Sequence, residues 1–328
     1  MDRRDLLIGT IVSSATFALP ALAEEPSRFW LGEWPNTDFS RSSAPFREII
    51  SGGVPRDGIP ALREVVMIGA ASVNDIDPRE PVVTLEIEGQ RARAYPVRYL
   101  TWHEIANDTV DGVPVAVTYC PLCNSALVFD RRVNGRVLDF GVSGKLRFSD
   151  MVMFDRQTES WWQQFTGRGI VGEMTDVQLE ILPAWMESLG EYKARNPGGL
   201  IMAEPTGYRR PYGRNPYRGY DTAGWPFLYN GEAPPHGLDP MSRVVRVGNH
   251  AWPLSRFSGT PEITEQGVRI VWQGGMASPL DTSTIGKGRD IGSIRVFDAE
   301  TGAPVAHEVI FAFVFHAFEP EGNWHLGS

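Results

Sequence analysis

Alternation of apolar and polar residues indicates a series of short β-strands along most of the chain. Residues 82–88 and 91–95 place apolar side chains at every second position and are joined at Gly89, which predicts a hairpin with one face directed inward. Residues 113–119 read as another strand, and a second hairpin is predicted around Asn134-Gly135. The fold class predicted from this pattern is mainly β with a few short helices.

Two segments have the spacing of helices. Residues 97–107 predict a short helix after Pro96, and residues 183–196 predict a longer one that ends at Pro197-Gly198. Strands are predicted to resume at 243–247, 268–272, 293–297 and 309–318. Between these groups the composition changes to Tyr, Arg, Gly and Pro, which predicts a long loop, and a loop of that length is uncommon unless it is functional.

Two short segments of the first half have counterparts in the second. The segment Ala94-Tyr95-Pro96-Val97 resembles Ala251-Trp252-Pro253-Leu254, and Cys123-Asn124-Ser125-Ala126-Leu127 resembles Met276-Ala277-Ser278-Pro279-Leu280. The offsets agree to within a few residues (252 − 95 = 157 and 276 − 123 = 153). A degenerate internal repeat would give two similar β-rich lobes. Chance similarity between strand-turn segments is the alternative explanation.

These patterns divide the chain into five segments. They are a signal peptide at residues 1–23, an irregular arm at 24–58, a β-rich lobe with the cysteines at 59–207, a Tyr/Arg/Gly/Pro-rich loop or linker at 208–240, and a second β-rich lobe without cysteines at 241–328.

The N-terminus has the pattern of an export signal. Arg3-Arg4 precedes an apolar run at residues 6–19, and Ala21-Leu22-Ala23 supplies a cleavage pattern, so the mature chain is expected to begin near Glu24. The arginine pair resembles a twin-arginine signal. A general secretory peptide and an uncleaved anchor are alternatives, although the run is too short to span a bilayer. We expect a periplasmic protein with no membrane span in its mature form.

Charge and composition exclude some classes of function. The 328 residues carry a formal net charge of −9, and no basic stripe is present to neutralise phosphates, so nucleic acid is not an expected partner. A hydrophobic content of 42% and a charged content of 22% are ordinary for a soluble globular protein.

Cys120 and Cys123 are the only cysteines and form a Cys-x-x-Cys pair at the end of a predicted strand. A thioredoxin-like site needs a helix after the pair, and the sequence after Cys123 predicts strand instead. A four-cysteine zinc site is excluded, so a metal site needs other ligands, for which His103 and Met153 are the candidates. Two thiolates with imidazole and thioether favour copper, and zinc is also possible.

Other interpretations of these residues stay open. His103 could be a capping or core histidine, Met153 could be core filler, and the cysteines could form a plain disulfide. Three functions follow: a periplasmic metal-binding protein in metal handling or redox chemistry, a thiol-disulfide oxidoreductase using Cys120 and Cys123, and a non-catalytic ligand-binding module. The first would have a metal ion as partner and could exchange it with another periplasmic metal or redox protein.

Several motifs resemble a bacterial family catalogued as domain of unknown function 3179. The resemblance is carried by Arg93-Ala94-Tyr95-Pro96, Trp102-His103-Glu104-Ile105, Thr118-Tyr119-Cys120-Pro121-Leu122-Cys123, Phe129-Asp130-Arg131, Phe140-Gly141-Val142-Ser143-Gly144 and Met153-Phe154-Asp155-Arg156, and more weakly by Ala277-Ser278-Pro279-Leu280-Asp281 and Gly288-Arg289-Asp290. The resemblance implies nothing about the activity. It supports treating His103, Cys120 and Cys123 as one constellation.

Overall fold

A computed structural model describes residues 25–327 and shows a mainly β protein with a few short helices. The predicted signal peptide lies outside the described residues. The strands are β1 (Ile49–Ser51), β2 (Met67–Gly69), β3 (Pro81–Leu85), β4 (Arg93–Pro96), β5 (Ile105–Val110), β6 (Val113–Cys120), β7 (Ser125–Asp130), β8 (Arg132–Val133), β9 (Arg136–Val137), β10 (Phe140–Arg147), β11 (Asp150–Asp155), β12 (Trp161–Gln163), β13 (Arg168–Val171), β14 (Ile181–Leu182), β15 (Ala184–Ser188), β16 (Leu200–Met202), β17 (Arg243–Val247), β18 (His250–Pro253), β19 (Glu262–Glu265), β20 (Val268–Gln273), β21 (Ser293–Asp298), β22 (Glu308–Phe311) and β23 (Asn323–Trp324).

The helices are short. The α-helices are α1 (Arg28–Glu33), α2 (Val97–His103), α3 (Leu189–Arg195) and α4 (Ala312–Phe318), and the 3₁₀ turns are Phe46–Glu48, Ala70–Ser72, Tyr220–Thr222, Leu254–Phe257 and Ile285–Lys287. Within residues 25–327, no helix has the length and apolar character needed to cross a bilayer.

Five sheets form a ring that resembles a five-bladed propeller. Their strand orders are β1-β10-β11-β12-β13, β14-β7-β6-β5, β15-β3-β4-β16-β2, β22-β17-β18-β23 and β19-β20-β21, and β8 and β9 form a separate small ribbon. The chain is therefore not arranged as the two similar lobes that the internal matches predicted. A shared core explains the difference, because one apolar cluster combines Leu127 and Val142 of the first half with Ile310 and Phe313 of the second.

The matching segments nevertheless occupy equivalent local positions. In each half a hairpin strand ends at a proline and leads into a short helix, β4 into α2 and β18 into the turn Leu254–Phe257. The sheet β22-β17-β18-β23 also has the strand order and directions of β15-β3-β4-β16, including a final parallel pairing. What the halves share is this connectivity, not separate lobes.

Predicted strands agree with the structure better than predicted helices do. Both predicted hairpins are present, as β3–β4 and β8–β9. The helix predicted at 97–107 ends at His103, and the segment 183–196 begins with strand β15, which pairs with β3 along its whole length. Pairing with a neighbouring strand overrides local helical spacing there. The strand predicted at 309–318 becomes helix α4 after Phe311.

Asn107 connects two of the sheets through its side chain. It lies buried on β5, and its Oδ1 accepts from the Phe140 backbone N–H of β10 at 2.9 Å. Its Nδ2 donates to the carbonyl oxygens of Phe140 at 2.9 Å and Leu62 at 3.3 Å. The sheet that carries the cysteines is held in this way against the sheet that carries β11.

We expect Asn107→Ala to lower the free energy of unfolding by about 2–4 kcal/mol, because it leaves the buried polar groups of Phe140 without a partner. Thr109→Ala, at an exposed position of the same strand, is the control and should have little effect. Urea unfolding monitored by tryptophan fluorescence measures both. Equal stability of the two variants would contradict this account of how the sheets are joined.

Candidate metal centre

The two cysteines lie at the turn of a tight hairpin, Cys120 at the end of a strand and Cys123 in the loop. Cys120 is the last residue of β6 and pairs with Ser125, the first residue of β7, so four residues form the connection. The Cys123 N–H donates to the Cys120 carbonyl oxygen at 3.2 Å, and Asn124 closes the loop in a left-handed conformation with φ 54°. A strand follows the pair, as predicted, and the helix N-terminus of a thioredoxin-like site is not formed here.

A second hairpin turn faces this loop. Strands β10 and β11 are joined by Phe148 and Ser149, which have φ values of 52° and 65°. Positive φ at both central residues is the pattern of a type I′ turn, which normally favours Asn-Gly. The Ser149 carbonyl oxygen accepts from both thiols, with distances of 3.9 Å to Cys120 Sγ and 3.6 Å to Cys123 Sγ.

Asp150, the first residue of β11, completes a cluster with the thiols. The two sulfur atoms and one carboxylate oxygen of Asp150 lie within 4.8 Å of one another, and all three residues are buried. Asp150 Oδ2 accepts from Gln163 Nε2 at 2.5 Å and from the Phe165 backbone N–H at 2.9 Å. Asp150 Oδ1 is buried, and among the described residues it has no partner other than the two thiols.

Burial makes the uncharged forms of these groups more stable. It raises the pKa of Asp150 to about 6, although hydrogen bonds from the Phe165 backbone and Gln163 lower that pKa. It also raises the pKa of both thiols above the ordinary range for cysteine. A bound cation would act in the opposite direction, because it stabilises thiolates and a carboxylate.

Glu104 is a further buried carboxyl group beside the cluster. It follows the last residue of helix α2 and has a positive φ of 58°. Burial, together with the nearby charge of Asp150, raises the pKa of Glu104 to about 8. Near neutral pH the folded protein therefore favours a protonated Glu104.

Residues 203–242, between β16 and β17, cover the cysteine loop, and we call this segment the lid loop. Tyr220 Oη donates to the Leu122 carbonyl oxygen at 3.0 Å, and Ser149 Oγ donates to the Phe227 carbonyl oxygen at 2.6 Å. The lid is fixed at Asp221, which is buried and accepts from Arg243 Nη2 at 2.8 Å. This segment contains the long loop predicted at 208–240.

The structure does not bring His103 into the cluster of thiols and carboxylate. The two ring nitrogens of His103 lie 2.7 Å from the Pro60 carbonyl oxygen and 2.7 Å from Tyr212 Oη. His103 therefore acts as a buried connector between α2 and the lid loop, which differs from its predicted role as a ligand. Met153 is fully buried in the same apolar cluster as both cysteines, and it pairs with Val142 and Trp162 in its sheet.

Sequence reasoning missed Asp150 and Glu104. Asp150 directly follows a two-residue turn and begins an apolar strand, a position at which aspartate usually caps a turn. Glu104 appears in the sequence as part of a predicted helix and of the motif Trp102-His103-Glu104-Ile105, without a role of its own. The only signal in the sequence is that each of these carboxylates lies beside the start of a strand. That position does not reveal which carboxylates of the chain face the thiols.

A family model described as "Protein of unknown function (DUF3179)" matches residues 56–322. The match covers well over half of the chain, so the chain belongs to this family. Comparison with curated proteins found no match. Comparison with solved structures found no match either.

Glu104→Gln should change how stability depends on pH in metal-free protein. Because the pKa of Glu104 is raised from 4.5 to about 8 on folding, its proton is held more tightly in the folded state. The wild-type protein should lose stability from this group as the pH rises from 4.5 to about 8. The glutamine variant should lack that component, so its stability relative to wild type should increase over this range.

Urea unfolding at pH 5 and at pH 8.5 measures the difference. Glu88→Gln, at an exposed turn, is the control for the loss of one carboxylate. A stability difference between Glu104→Gln and wild type that does not change with pH would contradict the assignment of a raised pKa.

Proposed function

We propose that this member of the family is a metal-binding protein whose ion is held by Cys120, Cys123 and Asp150. The observation that carries the proposal is the cluster of two thiols with the buried Asp150 carboxylate, whose Oδ1 has no partner other than these thiols. A buried polar atom without a strong partner is costly, and a metal ion would give it one. Gln163 and the Phe165 N–H, which bind Oδ2, would hold the carboxylate in position as outer-shell partners do.

The donor set bears on which metal is bound. Copper was favoured from the sequence because imidazole and thioether were expected beside the thiolates. A carboxylate in their place is a harder ligand, and two thiolates with a carboxylate suit zinc better than a soft ion such as Cu(I). We therefore propose zinc first and keep copper as the alternative.

Three protein ligands leave a position on the ion for water or another ligand, which is the pattern of sites where chemistry or transfer occurs. When bound, the ion would supply Lewis acidity or, if it is copper, electron transfer. Glu104, beside the cluster, would hold a proton at its carboxyl group. Metal handling and metal-assisted chemistry both fit this description.

Thiol-disulfide exchange is the second candidate function, and it is favoured by the closeness of the two sulfur atoms. In this reaction Cys120 and Cys123 would form a disulfide while two electrons and two protons pass to a disulfide acceptor. Burial of both thiols and their raised pKa oppose it, because exchange requires an accessible thiolate. The cysteines are not joined in this structure.

We also propose that the protein acts in the periplasm after twin-arginine export. Support comes from Arg3-Arg4, the apolar run and Ala21-Leu22-Ala23 in the sequence. Export of a folded chain would allow the buried metal site to be filled before the protein reaches an oxidising compartment.

Protein purified without chelator should contain about one equivalent of zinc or copper, with both thiols protected from titration until metal is removed. Cys120→Ser and Asp150→Asn should lose affinity by more than the roughly 10–100-fold expected for the outer-shell variant Gln163→Leu. Elemental analysis and competition with a chromogenic chelator measure these effects.

His103→Gln is the matched control, because the ring nitrogens of His103 are already hydrogen bonded, and it should retain the metal. Loss of metal from His103→Gln but not from Asp150→Asn would show that the ligand set is wrong. Metal-free protein with an oxidised pair would favour the thiol-disulfide function instead.

For export, the double substitution Arg3→Lys and Arg4→Lys should leave the protein in the cytoplasm, because twin-arginine transport depends on the arginine pair. Cell fractionation followed by immunoblotting measures this, and wild-type protein from the periplasm should begin near Glu24. Unchanged export of the double variant would point to the general secretory route.

A further inference from the structure

The lid loop lines an open cavity of about 360 Å³ next to the cysteine loop. Leu122, which lies between the two cysteines, lines this cavity together with Tyr217, Tyr220, Phe227 and Leu228. A second groove of about 680 Å³ shares the last three of these residues, so the two spaces are adjacent. Together they form an open depression on the protein surface that reaches the cysteine loop at Leu122.

The walls of this depression are mainly apolar and carry exposed aromatic rings. Trp225 is 46% exposed and Phe227 is 59% exposed, although both are large apolar side chains. Both residues are held by hydrogen bonds. Trp225 Nε1 donates to the Tyr229 carbonyl oxygen at 3.1 Å, and the Phe227 carbonyl oxygen accepts from Ser149 Oγ. Exposed aromatic side chains on a fixed backbone are typical of a binding surface.

Arg218 is the one charged side chain among the residues that line these two spaces. It is exposed, and within residues 25–327 it has neither a hydrogen bond nor an ion pair from its guanidinium group. Most other arginines of this acidic protein are paired; Arg243 and Arg289, for example, both bind Asp221. Arg218 therefore offers a free set of donors at the rim of an apolar cavity.

We propose that this depression binds a small organic carboxylate with an apolar body, the carboxylate at Arg218 and the body along Trp225 and Phe227. A planar guanidinium matches carboxylate geometry, and apolar walls select the rest of the molecule. That such a ligand is the substrate or carried ligand of the metal centre rests on the proposed function. Binding itself requires only the lid loop.

The position of the cavity links this ligand to the thiols. Tyr220 lines both spaces, and its hydroxyl group donates to the Leu122 carbonyl oxygen at 3.0 Å, one residue away from Cys123. A ligand bound against Tyr220 would therefore lie on the loop that holds the metal ligands.

Isothermal titration calorimetry with 4-phenylbutyrate tests the proposal, and 4-phenylbutanol serves as the neutral probe of similar shape. Wild-type protein should bind the acid with a saturable signal, and Arg218→Gln should weaken this binding about tenfold, the loss expected for one charged hydrogen-bonding partner. Arg218→Lys should recover part of the affinity. Arg209→Gln, in the same loop and not among the residues lining the cavity, should bind like wild type.

4-Phenylbutanol should bind to wild-type protein more weakly than 4-phenylbutyrate does. Its affinity should be the same for wild type, Arg218→Gln, Arg218→Lys and Arg209→Gln. The measurements are made on both metal-loaded and chelator-treated protein, so that failure of the metal proposal does not decide the result. Absence of saturable binding in both forms would overturn the ligand proposal, and so would equal affinity of wild type and Arg218→Gln.

Discussion

The site depends on the burial of one carboxyl group beside two thiols. One oxygen of Asp150 is hydrogen bonded to Gln163 and to the Phe165 backbone, while the other lies buried with only the two thiols beside it. Such an arrangement costs free energy in the absence of a cation, because burial opposes charge on the carboxylate and on the thiolates alike. The surrounding structure maintains it, through the two facing hairpin turns and the lid loop that covers them.

Four of the twelve non-glycine residues with positive φ in the described part of the chain lie around this cluster. They are Glu104, Asn124, Phe148 and Ser149. Positive φ values at such residues are uncommon and persist where surrounding contacts determine them. Here the contacts are specific: the Asn124 side chain donates to a carbonyl oxygen of β22, and Ser149 Oγ donates to the lid loop. These turns hold the two thiols and the Asp150 carboxylate close together.

Sequence reasoning was most successful where the determinants are local. The strand-turn-strand geometry around Cys120 and Cys123 follows from alternation and turn residues, and it was predicted correctly. Segments whose secondary structure depends on a partner far away in the sequence were predicted less well. An example is β15, which pairs with β3 about one hundred residues earlier. Asp150 belongs to the same class, because only the packing of two hairpins brings it to the thiols. Closeness in sequence to the cysteines favoured His103 as a ligand instead. In the structure its ring nitrogens are hydrogen bonded to the Pro60 carbonyl oxygen and to Tyr212 Oη.

The second half of the chain completes the site although it has no cysteine. The Phe311 N–H donates to the Cys123 carbonyl oxygen at 3.1 Å, and Ser125 Oγ donates to Glu308 Oε2 at 2.5 Å. Glu308 is buried, and burial raises its pKa to about 7, with the charge of Asp150 contributing. Asp150 thus repels Glu104 and Glu308 when the groups are ionised, and within residues 25–327 only Glu308 of these three forms an ion pair, with Arg246. A cation between Asp150 and the thiols would reduce this repulsion, which supports the proposed metal site.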